Sequence, residues 1–172
     1  MDIKQFTEDT LAEIDRDLDV AMSGLTTEEL NWRPTNEANP IGFTLWHMAR
    51  AEDFWISGFA LNQPQVFVQE GWSKKWGIPP EDTGGRYTKE QVDSFVAPRV
   101  DEIRQYERAV RKVTTDYLQT FDPGDFDFKP ESNNPRHQGY NLGRMFGHIL
   151  CELSQHLGHI RYLRGLQRGM NL

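Results

Sequence analysis

The sequence is poor in cysteine, in positive charge and in long apolar runs. Cys151 is its one cysteine, so no disulfide can form within the chain, as is typical of proteins in a reducing compartment. Lys and Arg number 19 against 26 Asp and Glu, which gives a formal charge of −7. Such a chain lacks the basic field that attracts nucleic acid or an anionic membrane surface. No apolar run approaches the roughly 20 residues that span a bilayer.

Several motifs are also missing. The sequence contains no phosphate-binding glycine loop, no Gly-x-Ser-x-Gly and no His-Glu-x-x-His, which argues against nucleotide-driven and α/β-hydrolase chemistry. The acidic segment 1–4 does not have the layout of a signal peptide. We therefore expect a cytoplasmic protein without nucleic-acid or membrane partners. A chain of 172 residues fits one domain, so we expect residues 1–172 to form a single domain.

Apolar spacing and punctuation predict four substantial helices, over residues 2–23, 41–60, 89–120 and 141–168. Thr26 with Glu29, and Thr88 with Gln91, match capping boxes, which mark helix starts. Asn39 with Pro40, and later Asn141, are further start signals. Pro98 is expected to kink the third helix.

Residues 61–87 and 121–139 are rich in proline and read as long loops, the first of them packed by its tryptophans. No segment alternates with the period of two that a strand requires. The fold prediction is therefore all-α, a four-helix bundle with long crossover loops.

The last predicted helix carries a polar stripe at the edge of its apolar face. At 100° per residue, His148, Glu152, His156 and His159 fall within about 80° of one another. A solvated face would normally carry Lys, Glu and Arg, so histidines beside a core need a partner or a role. His47, on the second predicted helix, also points inward by its helical phase.

These residues predict a metal site built from His47, Glu152 and His156. Glu152 and His156 are one turn apart, and His47 supplies a third ligand from another helix. Two histidines and one glutamate form a known catalytic zinc site that leaves a position for water or a thiol, whose pKa the ion lowers. His148 with Glu152 and His156 is an alternative set, although two turns of one helix converge poorly on one ion. Hydrogen-bonded core histidines without a metal are the other interpretation.

The remaining histidines and the small and aromatic residues have less specific interpretations. His148 and His159 are candidates for supporting the ligands or contacting a substrate, and His137 is expected to be exposed. A row of small residues on the last helix predicts either close packing inside the bundle or a homodimer interface; Cys151 belongs to it and is not proposed as ligand or nucleophile. The row consists of Gly143, Gly147, Cys151, Ser154, Gly158 and Gly165. Loop aromatics either cap the bundle ends or roof a pocket over the metal; they are Trp72, Trp76, Phe126, Phe128 and Tyr140.

Three segments resemble the DinB superfamily: LTTEELNWRP at 25–34, NPIGFTLWHMARAE at 39–52 and GHILCELSQHLGH at 147–159. The resemblance implies a four-helix bundle with long crossover connections, commonly dimeric, that holds zinc or nickel through three side chains. The family's first histidine matches His47. Many members carry two histidines four apart on the last helix; here Glu152 takes the first of these positions and His156 the second. A His, Glu, His set resembles instead the branch that includes mycothiol-dependent maleylpyruvate isomerase.

The same resemblance implies a class of activity. Active members are thiol-dependent transferases or isomerases, in which a low-molecular-weight thiol attacks an electrophile. The leading expectation is therefore a metal-dependent thiol S-transferase whose partners are a small electrophile and a thiol. A metal-dependent hydrolase and a non-catalytic metal-binding bundle are the alternatives, and a homodimer is the expected assembly. A fourth ligand from His148 or His159 would close the site and favour the non-catalytic interpretation.

Overall fold

The computed structural model describes residues 2–169, except for the side chain of Pro123, and all regular elements in that range are helical. This confirms the all-α prediction. The helices are α1 (Ile3–Met22), α2 (Thr27–Asn31), α3 (Ile41–Asp53), α4 (Val66–Gln69), α5 (Trp72–Trp76), α6 (Lys89–Ser94), α7 (Val100–Gln119) and α8 (Leu142–Arg168). A π-helical segment over Phe54–Ala60 continues α3, and short 3-10 turns occupy Pro123–Asp127 and Pro135–His137.

Four long helices form the bundle that the sequence predicts. α1 packs on α8, α8 on α3, α3 on α7 and α7 on α1, which closes the ring. Each helix contributes fully buried apolar side chains to the centre, such as Leu18, Trp46, Ile103 and Phe146. Burying a side chain of this size contributes roughly 1.5–3 kcal/mol. The apolar stripes of these helices are therefore what hold the bundle together.

Local capping signals placed most helix starts correctly. The Thr26 hydroxyl accepts the backbone N–H of Glu29, and the Glu29 side chain accepts the backbone N–H of Thr26. Thr88 and Gln91 exchange the same two hydrogen bonds. Asn141 Oδ1 accepts the N–H of Arg144 at 2.8 Å. The expected asparagine cap of α3 is wrong, because Pro40 takes the cap position and no side chain caps this helix.

The prediction of one helix over 89–120 is wrong, since the chain is extended between α6 and α7. Pro98 has no N–H to donate and disfavours helical geometry at the residue before it. Phe95 also has a tertiary reason to leave the helix, because its ring packs 4.8 Å from that of Trp46 and 5.2 Å from that of Phe43. A Cβ atom on Gly42 would lie 2.7 Å from the Cβ of Ala97, so this crossing requires a glycine.

The segment 61–87 is only partly a loop, because it contains α4 and α5. As expected, its tryptophans pack it: the rings of Trp72 and Trp76 lie 6.0 and 5.7 Å from that of Tyr106 on α7. The Asp53 carboxylate accepts the N–H groups of Val66 and Phe67 at 3.0 and 2.9 Å, which ties the start of α4 to the end of α3. None of the helices described within residues 2–169 combines the length and apolar character needed to cross a membrane.

Candidate metal centre

α3 and α8 bring His47, Glu152 and His156 together at the edge of the bundle core. Glu152 Oε1 lies 3.1 Å from His47 Nε2 and 3.2 Å from His156 Nε2. The ligand atoms of the three residues all lie within 4.8 Å of one another. Four ligands on a tetrahedral zinc ion, with bonds of about 2.0–2.1 Å, stand roughly 3.3–3.4 Å apart. The donor types and their separations therefore fit one divalent ion.

A backbone carbonyl sets the orientation of His47. Its Nδ1 lies 2.5 Å from the carbonyl oxygen of Thr83. A carbonyl only accepts, so Nδ1 carries the proton and donates it, and the Nε2 lone pair is directed toward Glu152. The Phe43 ring lies parallel to the imidazole, with centroids 6.1 Å apart. The tautomer of His47 is therefore the one that a metal ligand at Nε2 requires.

The segment carrying that carbonyl is held by a buried arginine. Arg50 donates from Nε to the Asp82 carbonyl at 2.9 Å and from Nη2 to the Pro80 carbonyl at 2.8 Å. Gly84 has φ +74°, and a Cβ atom there would lie 2.6 Å from the ring of Trp46. Arg50 is completely buried, a position that the sequence pattern did not predict because an isolated arginine on a helix normally faces water.

Arg50 belongs to a buried polar network that sequence reasoning missed. Its Nη1 donates to Tyr106 Oη at 3.0 Å, and that hydroxyl donates to Asp53 at 2.8 Å. Ser57 Oγ donates to the same carboxylate at 2.7 Å. Hydrogen bonds and ion pairing satisfy the buried charges here, as low dielectric requires. The network therefore connects the end of α3 rigidly to the segment at 80–83.

Glu152 is ionised in this arrangement. The contact with His156 is the largest influence that holds the pKa of the Glu152 carboxyl well below its usual range, the contact with His47 adds to it, and partial burial opposes it. An ionised carboxylate between two imidazole nitrogens is a ligand set that suits zinc, nickel, iron or manganese.

His156 is positioned by packing. Its Nδ1 is buried and makes no hydrogen bond to any side chain or backbone group that the structure describes. The His156 ring meets the His47 ring edge to face, at 87° with centroids 5.0 Å apart. On its other side the ring of His159 lies 5.6 Å away. The two histidine ligand candidates are thus held by different means, one by a carbonyl and one by ring contacts.

Two residues of the donor cluster, His47 and Glu152, line a pocket of about 330 Å³. Its residues form an edge near the donors, an aromatic wall and a basic rim, and they are His47, Ala51, Phe54, Trp55, Thr83, Gly85, Arg86, Arg136, Tyr140, His148 and Glu152. His148 packs edge to face against Trp55 at 5.2 Å. Within residues 2–169, the group of convergent ligand atoms includes no fourth side chain.

His148 and His159 therefore lie in different surroundings. His148 lines this pocket, whereas His159 is exposed and lines a separate groove beside Asn39 and Tyr162. The stripe predicted from helical phase is real on α8, but only its central members, Glu152 and His156, meet His47.

The expectation that His137 is exposed is wrong. Its side chain is buried, at 6% exposure, and its ring packs against those of Phe54, Trp55 and Phe59 at 4.6–5.1 Å. Ser132 Oγ lies 2.6 Å from His137 Nδ1. Burial lowers the pKa of His137, and Arg136 adds to the effect. His137 thus supports the aromatic wall of the pocket from behind as a neutral side chain.

Glu52 is a second buried carboxylate near the centre, and sequence reasoning missed it too. Both of its oxygens accept from Arg111, at 2.8 and 2.9 Å, and Thr114 Oγ1 donates to it at 2.6 Å. Both carboxylate oxygens are thus bonded to residues of α7, so Glu52 stabilises the α3–α7 interface and does not belong to the donor cluster.

The small-residue row on α8 faces largely outward. Gly143 alone is tightly packed, because a Cβ atom there would lie 3.1 Å from the Phe126 carbonyl. Gly147, Gly158 and Gly165 have no atoms of other parts of the described chain within 4 Å of such a position. Close packing inside the bundle is therefore wrong for these three residues.

Most of the loop aromatics cap the bundle. Trp72 and Trp76 pack on Tyr106, and Phe126 packs on Phe146 with ring centroids 5.6 Å apart. Phe128 is exposed. Only Tyr140 lines the pocket beside the donor cluster. The structure therefore favours the capping alternative for Trp72, Trp76 and Phe126, and Tyr140 alone of the five matches the pocket alternative.

The fold and the donor cluster define a helical-bundle protein in which side chains from facing helices converge at one site, as they do in bundle metal sites. The chain belongs to the DinB superfamily, whose DinB_2 family matches residues 10–160. A crystal structure described as that of a conserved protein from Enterococcus faecalis is similar over 96% of this chain and 97% of that one, with a TM-score of 0.81 and 21% identity. That likeness shows the fold alone. No curated protein matches the chain significantly.

Proposed function

We propose that this chain binds a divalent metal ion, zinc or nickel, through His47, Glu152 and His156, and that it is a thiol-dependent S-transferase acting on a small electrophile. The observation that carries the proposal is the convergence of three donor atoms without a fourth side-chain ligand among residues 2–169, at a place where His47 and Glu152 line an open pocket. Three protein ligands with one open position are typical of catalytic zinc, whereas structural sites are closed.

The chain's own residues have distinct roles in this proposal. His47 presents Nε2 because Thr83 accepts from Nδ1, and Glu152 supplies negative charge between the two imidazoles. A divalent ion held by these residues would lower the pKa of a bound thiol and so make it a better nucleophile near neutral pH. Trp55 and Tyr140 form an aromatic wall against which an electrophile can pack.

The transfer step balances without a further reactant. With a haloarene, the thiol sulfur forms a bond to the ring carbon, the carbon–halogen bond breaks and the halide leaves. The thiol proton passes to solvent. Membership of the DinB superfamily supports transfer over hydrolysis, because the active members that this chain resembles use thiols.

Elemental analysis of the tag-free protein tests the metal site. We expect near-stoichiometric zinc or nickel in the parent protein and its loss in His47→Ala and His156→Ala. His159→Ala is the matched control, since His159 is a neighbouring histidine outside the convergent group, and it should keep its metal. A metal-free parent protein, even after loading with zinc and nickel, would support the interpretation as hydrogen-bonded histidines.

Product analysis tests the reaction class. The metal-loaded protein is incubated with glutathione and 1-chloro-2,4-dinitrobenzene, and the thioether is measured by absorbance and mass spectrometry. Thioether formation that stops in His47→Ala supports the transferase. Hydrolysis of ester substrates without thiol consumption would favour the hydrolase, and a metal-loaded protein inactive in both assays would favour a non-catalytic bundle.

We also propose that the outward face of α8 forms a homodimer interface. Small residues permit close approach of a second helix. Three exposed apolar side chains line a groove together with Gly165: Val20, Tyr162 and Leu166. Light scattering should give a dimer for the parent protein and a monomer for Gly158→Glu. Gln105→Glu, on the exposed side of α7, is the control and should remain dimeric. A parent protein that is monomeric at all concentrations tested would refute this assembly.

A further inference from the structure

The pocket beside the donor cluster has a basic rim that the proposed metal chemistry does not use. Arg86 and Arg136 both line it, together with His47 and Glu152 of the donor cluster. Glu152 is the only carboxylate among the pocket residues in the described chain, and it is engaged by two imidazoles. Within residues 2–169, the lining of this pocket therefore offers no carboxylate other than Glu152 to balance the two arginines.

Neither guanidinium group has a polar partner in the part of the chain that the structure describes. Neither the Arg86 nor the Arg136 side chain makes an ion pair or a hydrogen bond with residues 2–169. Arg33, Arg104 and Arg168, in contrast, each pair with a carboxylate. Two such cations on the rim of one pocket leave their hydrogen-bonding capacity available to a ligand.

The structure holds the two arginines near the pocket by different contacts. The Arg136 guanidinium lies 5.7 Å from the centre of the Phe54 ring, over its face, and Phe54 is itself part of the aromatic wall. Arg86 has φ +61°, the left-handed region that non-glycine residues rarely adopt. On either side of it Gly84 packs on Trp46, and Tyr87 Oη donates to the Asp82 carboxylate. The strained backbone at Arg86 is thus fixed in place by its neighbours.

We infer that Arg86 and Arg136 bind a carboxylate group of a small-molecule reactant. This inference rests on the proposed function and adds a substrate class to it. Guanidinium groups bind carboxylates through paired, charge-assisted hydrogen bonds. The reactant is a small organic acid whose body packs on Trp55 and Tyr140 while its reacting end faces His47 and Glu152. A pocket of about 330 Å³ lies at the small end of the range for ligand sites.

The carboxylate can belong to the thiol or to the electrophile, and one set of probes distinguishes these sources. Cobalt(II) is loaded in place of the native ion, so that sulfur coordination produces a thiolate-to-cobalt absorption band. 3-Mercaptopropionate, which carries a carboxylate, is compared with 2-mercaptoethanol, which is neutral and of similar size. Succinate, an acid without a thiol, is titrated by calorimetry into the same protein with and without 2-mercaptoethanol.

If the carboxylate belongs to the thiol, 3-mercaptopropionate should bind at least tenfold more tightly than 2-mercaptoethanol. If the carboxylate belongs to the electrophile, the two thiols should bind equally well, and succinate should also bind when 2-mercaptoethanol is present. In either case Arg86→Gln and Arg136→Gln should each weaken binding of the acidic probe tenfold or more and leave 2-mercaptoethanol unchanged. Arg16→Gln is the matched control, because Arg16 is an exposed arginine of α1 outside this pocket.

Two outcomes separate failure of this inference from failure of the proposed function. Acidic probes that bind no better than neutral ones, with no change in Arg86→Gln and Arg136→Gln, overturn the carboxylate site even if both thiols give the cobalt band. Absence of the band with every thiol overturns thiol coordination. Succinate calorimetry then tests carboxylate binding by the two arginines independently of thiol coordination. Succinate binding that is lost in Arg86→Gln and Arg136→Gln supports the carboxylate site.

Discussion

His47 Nδ1 and the carbonyl oxygen of Thr83 lie 2.5 Å apart, although 36 positions separate the two residues. The contact selects the tautomer that leaves Nε2 free for a ligand. Arg50 and the packing of Gly84 hold the segment that supplies the carbonyl. The geometry of the donor cluster therefore depends on residues that never touch it.

Gly84→Ala should weaken metal binding without unfolding the bundle. A Cβ atom there would lie 2.6 Å from the buried ring of Trp46, so the backbone at 83–84 must move and displace the Thr83 carbonyl. Loss of such a supporting hydrogen bond typically reduces metal affinity by about 10–100-fold. Competition with a chelating dye measures the zinc affinity of both proteins.

Gly77→Ala separates this effect from backbone strain alone. Gly77 also has positive φ, at +66°, but has no atom within 4 Å of a Cβ position. We expect a stability loss on the order of 1 kcal/mol and unchanged zinc affinity. Equal zinc affinity in Gly84→Ala and the parent protein would show that the Thr83 contact does not support the ligand.

Zinc should stabilise the parent protein and not Glu152→Gln. A ligand that binds only the folded state adds about 2.7 kcal/mol at a free concentration of 100 times its Kd. The amide lacks the negative charge that Glu152 places between the two histidines, so this increment should disappear. Chemical denaturation with and without zinc measures it, and His159→Ala should retain it. An unchanged increment in Glu152→Gln would exclude Glu152 as a ligand.

Removing only Arg111 from the Glu52–Arg111 pair should lower the free energy of unfolding more than replacing both residues with apolar ones. Arg111→Met leaves the Glu52 carboxylate, 1% exposed, without its main counter-ion, which typically costs about 3–5 kcal/mol. The double variant Glu52→Leu, Arg111→Met removes both charges and should recover part of that loss, because Asp15 and Glu107 still lose their contact with Arg111. Thr114 then still donates to the Val110 carbonyl. Urea denaturation tests both, and a double variant as unstable as the single one would contradict this account.

His137 should make the protein less stable in acid. Burial lowers the folded-state pKa of His137 below its ordinary value of 6.5, so the unfolded chain binds the proton more tightly. Stability is therefore complete above pH 6.5 and falls as the pH drops from 6.5 toward the folded-state pKa. With metal removed by chelator, His137→Gln should lose less stability than the parent between pH 7.5 and 5.5. The exposed His159→Gln should behave like the parent, and parallel pH profiles for all three would refute the role of His137.

Local signals were sufficient for much of the fold. Thr26, Thr88 and Asn141 cap helices because their side chains bond to backbone only three residues away, an interaction that the sequence displays directly. The pairing of Glu152 with His156 follows from one helical turn in the same way. The apolar stripes predicted the bundle because each must be buried against another helix.

Tertiary contacts decided what these signals could not show. Pro98 marks a break before α7 in the sequence, but the end of α6 at Ser94 also depends on Phe95 packing with Phe43 and Trp46. The burial of His137 depends on the wall formed by Phe54, Trp55 and Phe59. Neither contact leaves a periodic trace in the sequence, since its partners come from distant segments.

The sequence by itself determined most helix starts, the apolar faces of the four long helices and the types of donor atom on α3 and α8. The tertiary structure alone decided that Arg50 and Glu52 are buried, that Thr83 orients His47 and that Arg86 and Arg136 share a pocket with the donors. The physical reason is that helical periodicity is local, whereas burial of a charge is favourable only where a partner far along the chain satisfies it.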